Sequence, residues 1–267
     1  MQALKISELY IYPIKSARGI SLASARVDLR GLEYDRRWMV VDEEGHFLTQ
    51  RSIPRMALIR VELRSSHLAV KAEGTNELIL PRKPVSGDTL RVTVWDDSFD
   101  ALDTGPQAAQ WFSKILSRPC RLVYMPDQTE RLVNPKYASQ KTIVSFADAF
   151  PFMLVSQASL DDLNARLAQP VLMNRFRPNL VVEGCSAYEE DTWTNLRIGS
   201  VDFRIAKPCS RCTVPTVNQD TAIRSSEPIL TLGAYRTMNG KIYFGQNLTH
   251  HGQGVLAVGD EVQVTRV

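Results

Sequence analysis

The chain has 267 residues, 44% hydrophobic and 23% charged, enough to bury a core and to form one to two domains at about 150 residues each. That composition excludes a largely disordered chain, and a net charge of +3 is too small to call for a nucleic-acid partner, although it leaves local anion sites open. No apolar run approaches the ~20 residues of a membrane span, Met1–Glu8 lacks a secretory apolar region, and four cysteines make no disulfide framework, so a cytoplasmic protein without a membrane anchor is expected.

In chain order, the first half reads as short strands at Leu4–Ile11, Arg37–Asp42, His46–Thr49, Leu58–Leu63, His67–Ala72, Leu78–Leu80 and Thr89–Trp95. Turn signals such as Glu43-Glu44-Gly45 and Ser86-Gly87-Asp88 separate them, a spacing typical of sandwiches and barrels rather than of βαβ winding. A helix is predicted at Pro106–Ser117, with proline at its start and Trp111, Ile115 and Leu116 inward. The polar stretch Pro126–Lys141 is loop, and the domain boundary falls near it, giving domains 1–125 and 126–267. Ser156 is an N-cap for a second helix bearing Leu160, Leu163 and Leu167. Strands resume at Asn179–Val182, Leu196–Ile198, Val201–Ala206, Lys241–Phe244 and Glu261–Val264, with a third helix at Pro228–Arg236 that turns Ile229 and Leu232 inward. No internal repeat or low-complexity tract is present.

The sharpest chemical feature is Lys207-Pro-Cys-Ser-Arg-Cys-Thr-Val214, which holds Cys209 and Cys212. A Cys-x-x-Cys is half of a zinc site, a redox dithiol, or two incidental thiols. Zinc needs two more ligands, and the sequence has neither a second such pair nor a spaced histidine pair, His250 and His251 being adjacent. A redox dithiol belongs between a strand and a helix, whereas Val214-Pro-Thr-Val continues extended. Arg211 between the thiols, with Lys207 nearby, favours a thiolate, the form that ligates a soft metal or attacks an electrophile.

Basic residues recur at loop positions. Tyr12-Pro-Ile-Lys-Ser-Ala-Arg-Gly19 offers Lys15, Ser16 and Arg18, and Tyr34-Asp-Arg-Arg-Trp38 places Arg36 and Arg37 on opposite faces if extended. Arg51 and Arg55 flank a proline, and Arg177 stands just before the apolar run Leu180–Val182, at a strand end where ligands commonly bind. Arginines suit bidentate phosphate recognition, so these side chains either converge on one anion or stay solvated. Cys185 reads as a second thiol or a small core residue, and Glu189, Glu190 and Asp191 as a solvated loop or a proton source. Walker, Gly-x-Ser-x-Gly, His-Glu-x-x-His and dinucleotide-binding motifs are absent.

Taken together, Tyr12-Pro-Ile-Lys-Ser, Asp35-Arg-Arg-Trp, Thr49-Gln-Arg-Ser-Ile-Pro-Arg, Asp148-Ala-Phe-Pro-Phe, Phe176-Arg-Pro-Asn-Leu-Val-Val, Cys209-Ser-Arg-Cys and Phe244-Gly-Gln-Asn resemble the MOSC family. The resemblance covers nearly the whole chain and is to two-part members, the amidoxime-reducing components among them. It implies a mostly β (α+β) protein, a MOSC-type β-barrel preceded by a MOSC N-terminal β-barrel-like domain, with a few packed helices.

It also implies a molybdenum cofactor (Mo-molybdopterin) whose metal takes one thiolate, here Cys212. Lys15, Ser16 and Arg36 match positions that hold the pterin and its phosphate, and Arg177, Ser210, Arg211 and Asn247 match further cofactor-lining positions. Asp148 lies in another matching loop, where the apolar Ala149-Phe150 would make contacts through backbone. The activity implied is reduction of small N-hydroxylated or N-oxygenated substrates. With no iron–sulfur motif among four cysteines, electrons are expected from a separate ferredoxin, flavoprotein or cytochrome. The rival readings are a persulfide sulfur carrier in cofactor maturation and a non-catalytic cofactor carrier.

Overall fold

The computed structural model describes residues 3–138 and 140–266. Its largest sheet runs in the order Val262–Arg266, Trp193–Ile198, Val201–Ser210, Lys241–His251, Phe152–Ser156, Leu180–Glu183, Lys5–Ile11 and Ile20–Leu22, with Thr237–Met238 added on Lys241–His251. Backbone bonds from Ile6 N to Asp260 O (2.9 Å), Gly259 N to Ile6 O (2.8 Å) and Val262 N to Leu4 O (2.9 Å) bring the last strand back against the first. The sheet thereby curls into a barrel. Strands from either side of residue 125 share these hydrogen bonds.

All the ladders of this sheet are antiparallel except Phe152–Ser156 beside Leu180–Glu183. A parallel pair needs a crossover, and helix α2 (Gln157–Arg166) lies within it, capped by the Ser156 hydroxyl on Ser159 N. Both faces of this pair are buried, which explains its unbroken apolar sequence. Phe152, Leu154, Leu180 and Val182 point into the main core, while Met153, Val155 and Val181 join Leu160, Leu163, Phe176, Leu232 and Phe244 in a second core. Helix α3 (Ile229–Tyr235) covers that second core through Leu232.

The other strands of the first half form a four-stranded sheet, Trp38–Val41, Arg121–Tyr124, Asp97–Asp103 and Thr89–Val94, and two three-stranded sheets. Helix α1 (Pro106–Leu116) buries Ala108, Phe112 and Leu116; the expected Trp111 and Ile115 sit half-buried at its flank. The expected strand His46–Thr49 is no strand. Asp42 caps His46 N through its side chain (2.8 Å), and the segment makes only single bridges, Val41 with Phe47 and His46 with Thr93.

Two irregularities interrupt the sheet where the strands Val201–Ser210 and Lys241–His251 run side by side. Register shifts flank Lys207 and Pro208 in the strand Val201–Ser210, because proline cannot donate to the ladder. Opposite them, Gly245 has φ +77°, and an added Cβ would lie 2.6 Å from Leu154 O and 2.7 Å from Val155 Cγ2. Gly245→Ala therefore combines a left-handed backbone with a backbone clash and is expected to destabilise the fold by about 2 kcal/mol or more. Urea unfolding checks this, and a midpoint equal to that of the parent protein refutes it.

Candidate functional site

Five neighbouring strands of the barrel deliver residues to one cleft of about 150 Å³. Lys15 and Ser16 follow Lys5–Ile11, Arg177 precedes Leu180–Glu183, Phe152 and Met153 open Phe152–Ser156, Asn247 lies within Lys241–His251, and Ser210 ends Val201–Ser210. Arg36 and Arg51 come from loops of the first half. Arg211 and Cys212 follow Ser210.

The backbone is strained where it presents these groups. Ser16 (φ 67°), Arg36 (φ 51°) and Arg177 (φ 57°) all occupy the left-handed region without being glycine, a clustering characteristic of binding and catalytic sites. The turn at Arg36 is tied by Arg36 N to Tyr12 O and closed by Phe146 N to Arg36 O, both 2.9 Å. It is this turn, rather than an extended segment, that separates Arg36 from Arg37. Arg37 is buried on the far side, donating to Met125 O (2.6 Å) and Asp127 (2.6 Å).

The cations are held largely by carbonyls and rings. Arg36 pairs with buried Asp35 and donates to Asn179 Oδ1 (3.1 Å) and Arg177 O (3.3 Å). Arg177 donates to Ala17 O (2.8 Å). Their guanidinium carbons lie 4.6 and 4.1 Å from the Tyr12 ring centre, and the Tyr12 hydroxyl is anchored on Pro178 O (3.0 Å). Cation–π contact of this kind tolerates two like charges side by side. Burial pulls Arg177 down to about 10, with Arg36 opposing its charge and Tyr12 and Asp35 supporting it.

Lys15 is buried, with Nζ on Phe146 O (2.7 Å) and Asp148 Oδ1 (2.6 Å). Burial lowers its pKa to about 8; Asp148 works against that shift, while Arg131 and Arg51 add to it. Asp148 bridges Lys15 and Arg51, whose Nη2 lies at 2.9 Å. Burial alone would raise the Asp148 carboxyl, but the two cations hold it well below the usual carboxylate range. Asp148 thus engages through its side chain.

The two thiols differ. Cys212 is exposed in the cleft wall, while Cys209 is half-buried against the second core. Arg211 donates Nη1 to the Cys209 sulfur (3.1 Å) and to Met153 Sδ (3.1 Å), and Nη2 to Phe176 O (2.9 Å). Its buried Nε has no acceptor among the described residues.

The structure thus brings together Lys15, Ser16, Arg36, Arg51, Asp148, Arg177, Ser210, Arg211, Cys212 and Asn247. Arg55 donates instead to Ser117 (3.2 Å), and Arg18 pairs with Asp220. Glu190, its carboxyl raised by burial, is sealed by the hydroxyls of Ser159 (2.8 Å) and Ser156 (2.9 Å). Asp191 pairs with Arg236 (2.6 Å), and Cys185 packs on the main core; none of these lines the cleft. Asn179 was not anticipated. It accepts from Arg36 and from Met153 N (3.2 Å), and its place after Arg177-Pro178 at a strand start was the available signal.

Five cations (Lys15, Arg36, Arg51, Arg177, Arg211) therefore face two carboxylates (Asp35, Asp148), an excess of three positive charges suited to an oxyanion. Sulfate, which does not titrate near neutrality, is a suitable probe. Lys15 is a cation below about pH 8 and neutral above it, so sulfate affinity should fall as pH rises through about 8. Lys15→Met should bind about tenfold more weakly at pH 7 and lose that pH step. Calorimetric titration at pH 6.5 and 9.5 decides this; an unchanged step in Lys15→Met would assign it to another group.

In comparisons with known proteins, residues 3–119 match the MOSC N-terminal beta barrel domain and residues 141–263 match the MOSC domain. Mitochondrial amidoxime-reducing component 1 of Mus musculus is 37% identical, over 96% of this chain and 81% of that protein. Mitochondrial amidoxime reducing component 2 of Bos taurus is 38% identical, over 96% and 82%. The Homo sapiens component 1 is 36% identical, over 96% and 82%.

Proposed function

We propose, because the chain belongs to the MOSC domain family and carries a MOSC N-terminal barrel domain ahead of its MOSC domain, that it is a molybdenum-cofactor-dependent reductase of small N-hydroxylated compounds. The observation that carries this reading is one cleft whose lining combines five cations with an exposed cysteine thiol.

The residues fit the group. Arg211 keeps a buried N–H without an acceptor among the described residues, and the cationic excess calls for an anion such as a pterin-linked phosphate. Lys15, Ser16 and Arg36 would hold that phosphate. Arg177, Ser210, Arg211 and Asn247 would line the pterin, and Cys212 would supply the thiolate to the metal. When bound, the cofactor supplies two-electron chemistry that removes oxygen from an N–OH group as water, consuming two protons.

The chain's own contribution is binding and orientation. Asp148 stays ionised between Lys15 and Arg51 and so fixes Lys15 rather than donating a proton. Arg211, tied to Cys209 and Phe176, sets the loop that presents Cys212. Phe150, Phe152 and Phe176 contribute apolar surface to the cleft lining. Electrons would come from a separate one-electron protein in a reducing compartment.

The test is elemental analysis and turnover of protein made in a cofactor-competent host. Molybdenum near one atom per chain is expected, with reduction of a simple amidoxime by reduced viologen and none by NADH alone. Cys212→Ser should lose the metal or all turnover, while Cys209→Ser keeps most of both. Equal loss from the two substitutions, or cyanolysable sulfur without metal, would favour sulfur carriage. Metal-replete protein inert with every donor would favour a carrier.

A further inference from the structure

Trp95 has no part in the reading above, yet its placement is costly. It stands at the two-residue turn joining the paired strands Thr89–Val94 and Asp97–Asp103, with φ +57°. Glycine or asparagine fills that region without strain, and a bulky aromatic does not. Burial does not account for the choice, since Trp95 is 52% exposed.

What the indole does is hold Arg51. Its ring centre lies 4.5 Å from the Arg51 guanidinium carbon and meets the Phe47 ring edge-on at 5.1 Å. Phe47 in turn lies 5.9 Å from the Arg51 guanidinium and 5.2 Å from Lys15 Nζ. On its other side Arg51 donates Nη2 to Asp148 (2.9 Å), which also binds Lys15. A planar guanidinium stacked on a ring and pinned at one corner keeps its remaining N–H groups in a fixed direction. One of these, Nε, is buried with no acceptor among the described residues, and Arg51 lines the cleft.

We propose that Arg51 is a further anion-binding residue of the cleft, taking a phosphate-type oxyanion of the bound cofactor, and that Trp95 is its positioning residue. The proposal rests on the reading of this cleft as the seat of an anionic cofactor. It accounts for the retention of a strained, half-exposed tryptophan, and it couples the four-stranded sheet of the first half to the site.

The test titrates sulfate calorimetrically, at pH 7, into the full chain made in a host that lacks the cofactor, alongside thermal unfolding. Arg51→Gln should weaken sulfate about tenfold, and Arg51→Lys nearly as much, because an ammonium cannot stack and fork at once. Trp95→Gly relieves the backbone while deleting the ring. It should weaken sulfate severalfold with no loss of melting temperature, and Trp95→Phe should restore binding. In a cofactor-competent host, Arg51→Gln and Trp95→Gly should copurify with less molybdenum than the parent protein. Parent-like sulfate affinity in Arg51→Gln overturns the proposal. A Trp95→Gly variant that loses binding only in step with its melting temperature, with no rescue by phenylalanine, overturns the positioning role. Absence of sulfate binding by the parent protein overturns the cleft reading itself, and this inference with it.

Discussion

Five positive side chains sharing one small cleft repel each other, and in a partly dry wall that repulsion is several times stronger than in water. The fold meets the problem with few carboxylates. Asp35 and Asp148 account for two charges, and the rest is done by carbonyl oxygens of Ala17, Phe146, Phe176 and Arg177 and by the Tyr12 ring between Arg36 and Arg177. Carbonyls and ring faces carry no net charge, so they orient cations without cancelling them. The field inside the cleft is thus left positive, and any anion that binds only the folded chain stabilises it by mass action.

That arrangement needs strands ending at the same place from distant parts of the chain. Lys15, Arg36 and Arg51 come from the first fifth of the sequence and Arg177, Arg211 and Cys212 from the second half. The shared sheet brings the two sets together. The bends at Pro208 and Gly245 then let Ser210, Asn247 and the loop after Ser210 turn toward the cations instead of continuing flat. Of the two neighbouring thiols, the arginine between them takes Cys209 as an acceptor and leaves Cys212 exposed to the cleft.

Much of the strand and helix order was legible because it rests on local signals: the short strand-like run at Lys5–Ile11, proline at the start of α1, Ser156 as a cap. Asp97–Asp103 was missed because four of its seven residues are polar, which hides the strand even though it pairs with Thr89–Val94 across a two-residue turn. Phe152–Ser156 was not among the expected strands, since a strand buried on both faces has no alternation to detect. At the site, the resemblance picked out residues that the cleft does gather, but not how they get there. Left-handed φ at Ser16, Arg36 and Arg177 leaves no mark in composition, because none of them is glycine. Nor does sequence tell Arg51 from Arg55, which stand four apart around the same proline; one meets Asp148 and the other Ser117.

The closure of the barrel sets an order of events during synthesis. Residues Lys5–Ile11 precede their partners Leu180–Glu183 and Gly259–Val262 by about 170 and 250 residues. At roughly 5–20 residues per second, this strand waits on the order of 10–30 s for Leu180–Glu183, with only the short strand Ile20–Leu22 beside it. One edge of this strand stays open throughout that interval, with unpaired backbone groups that another chain can meet. The same seam that gathers the cleft therefore leaves the growing chain open to mispairing until its second half has been made.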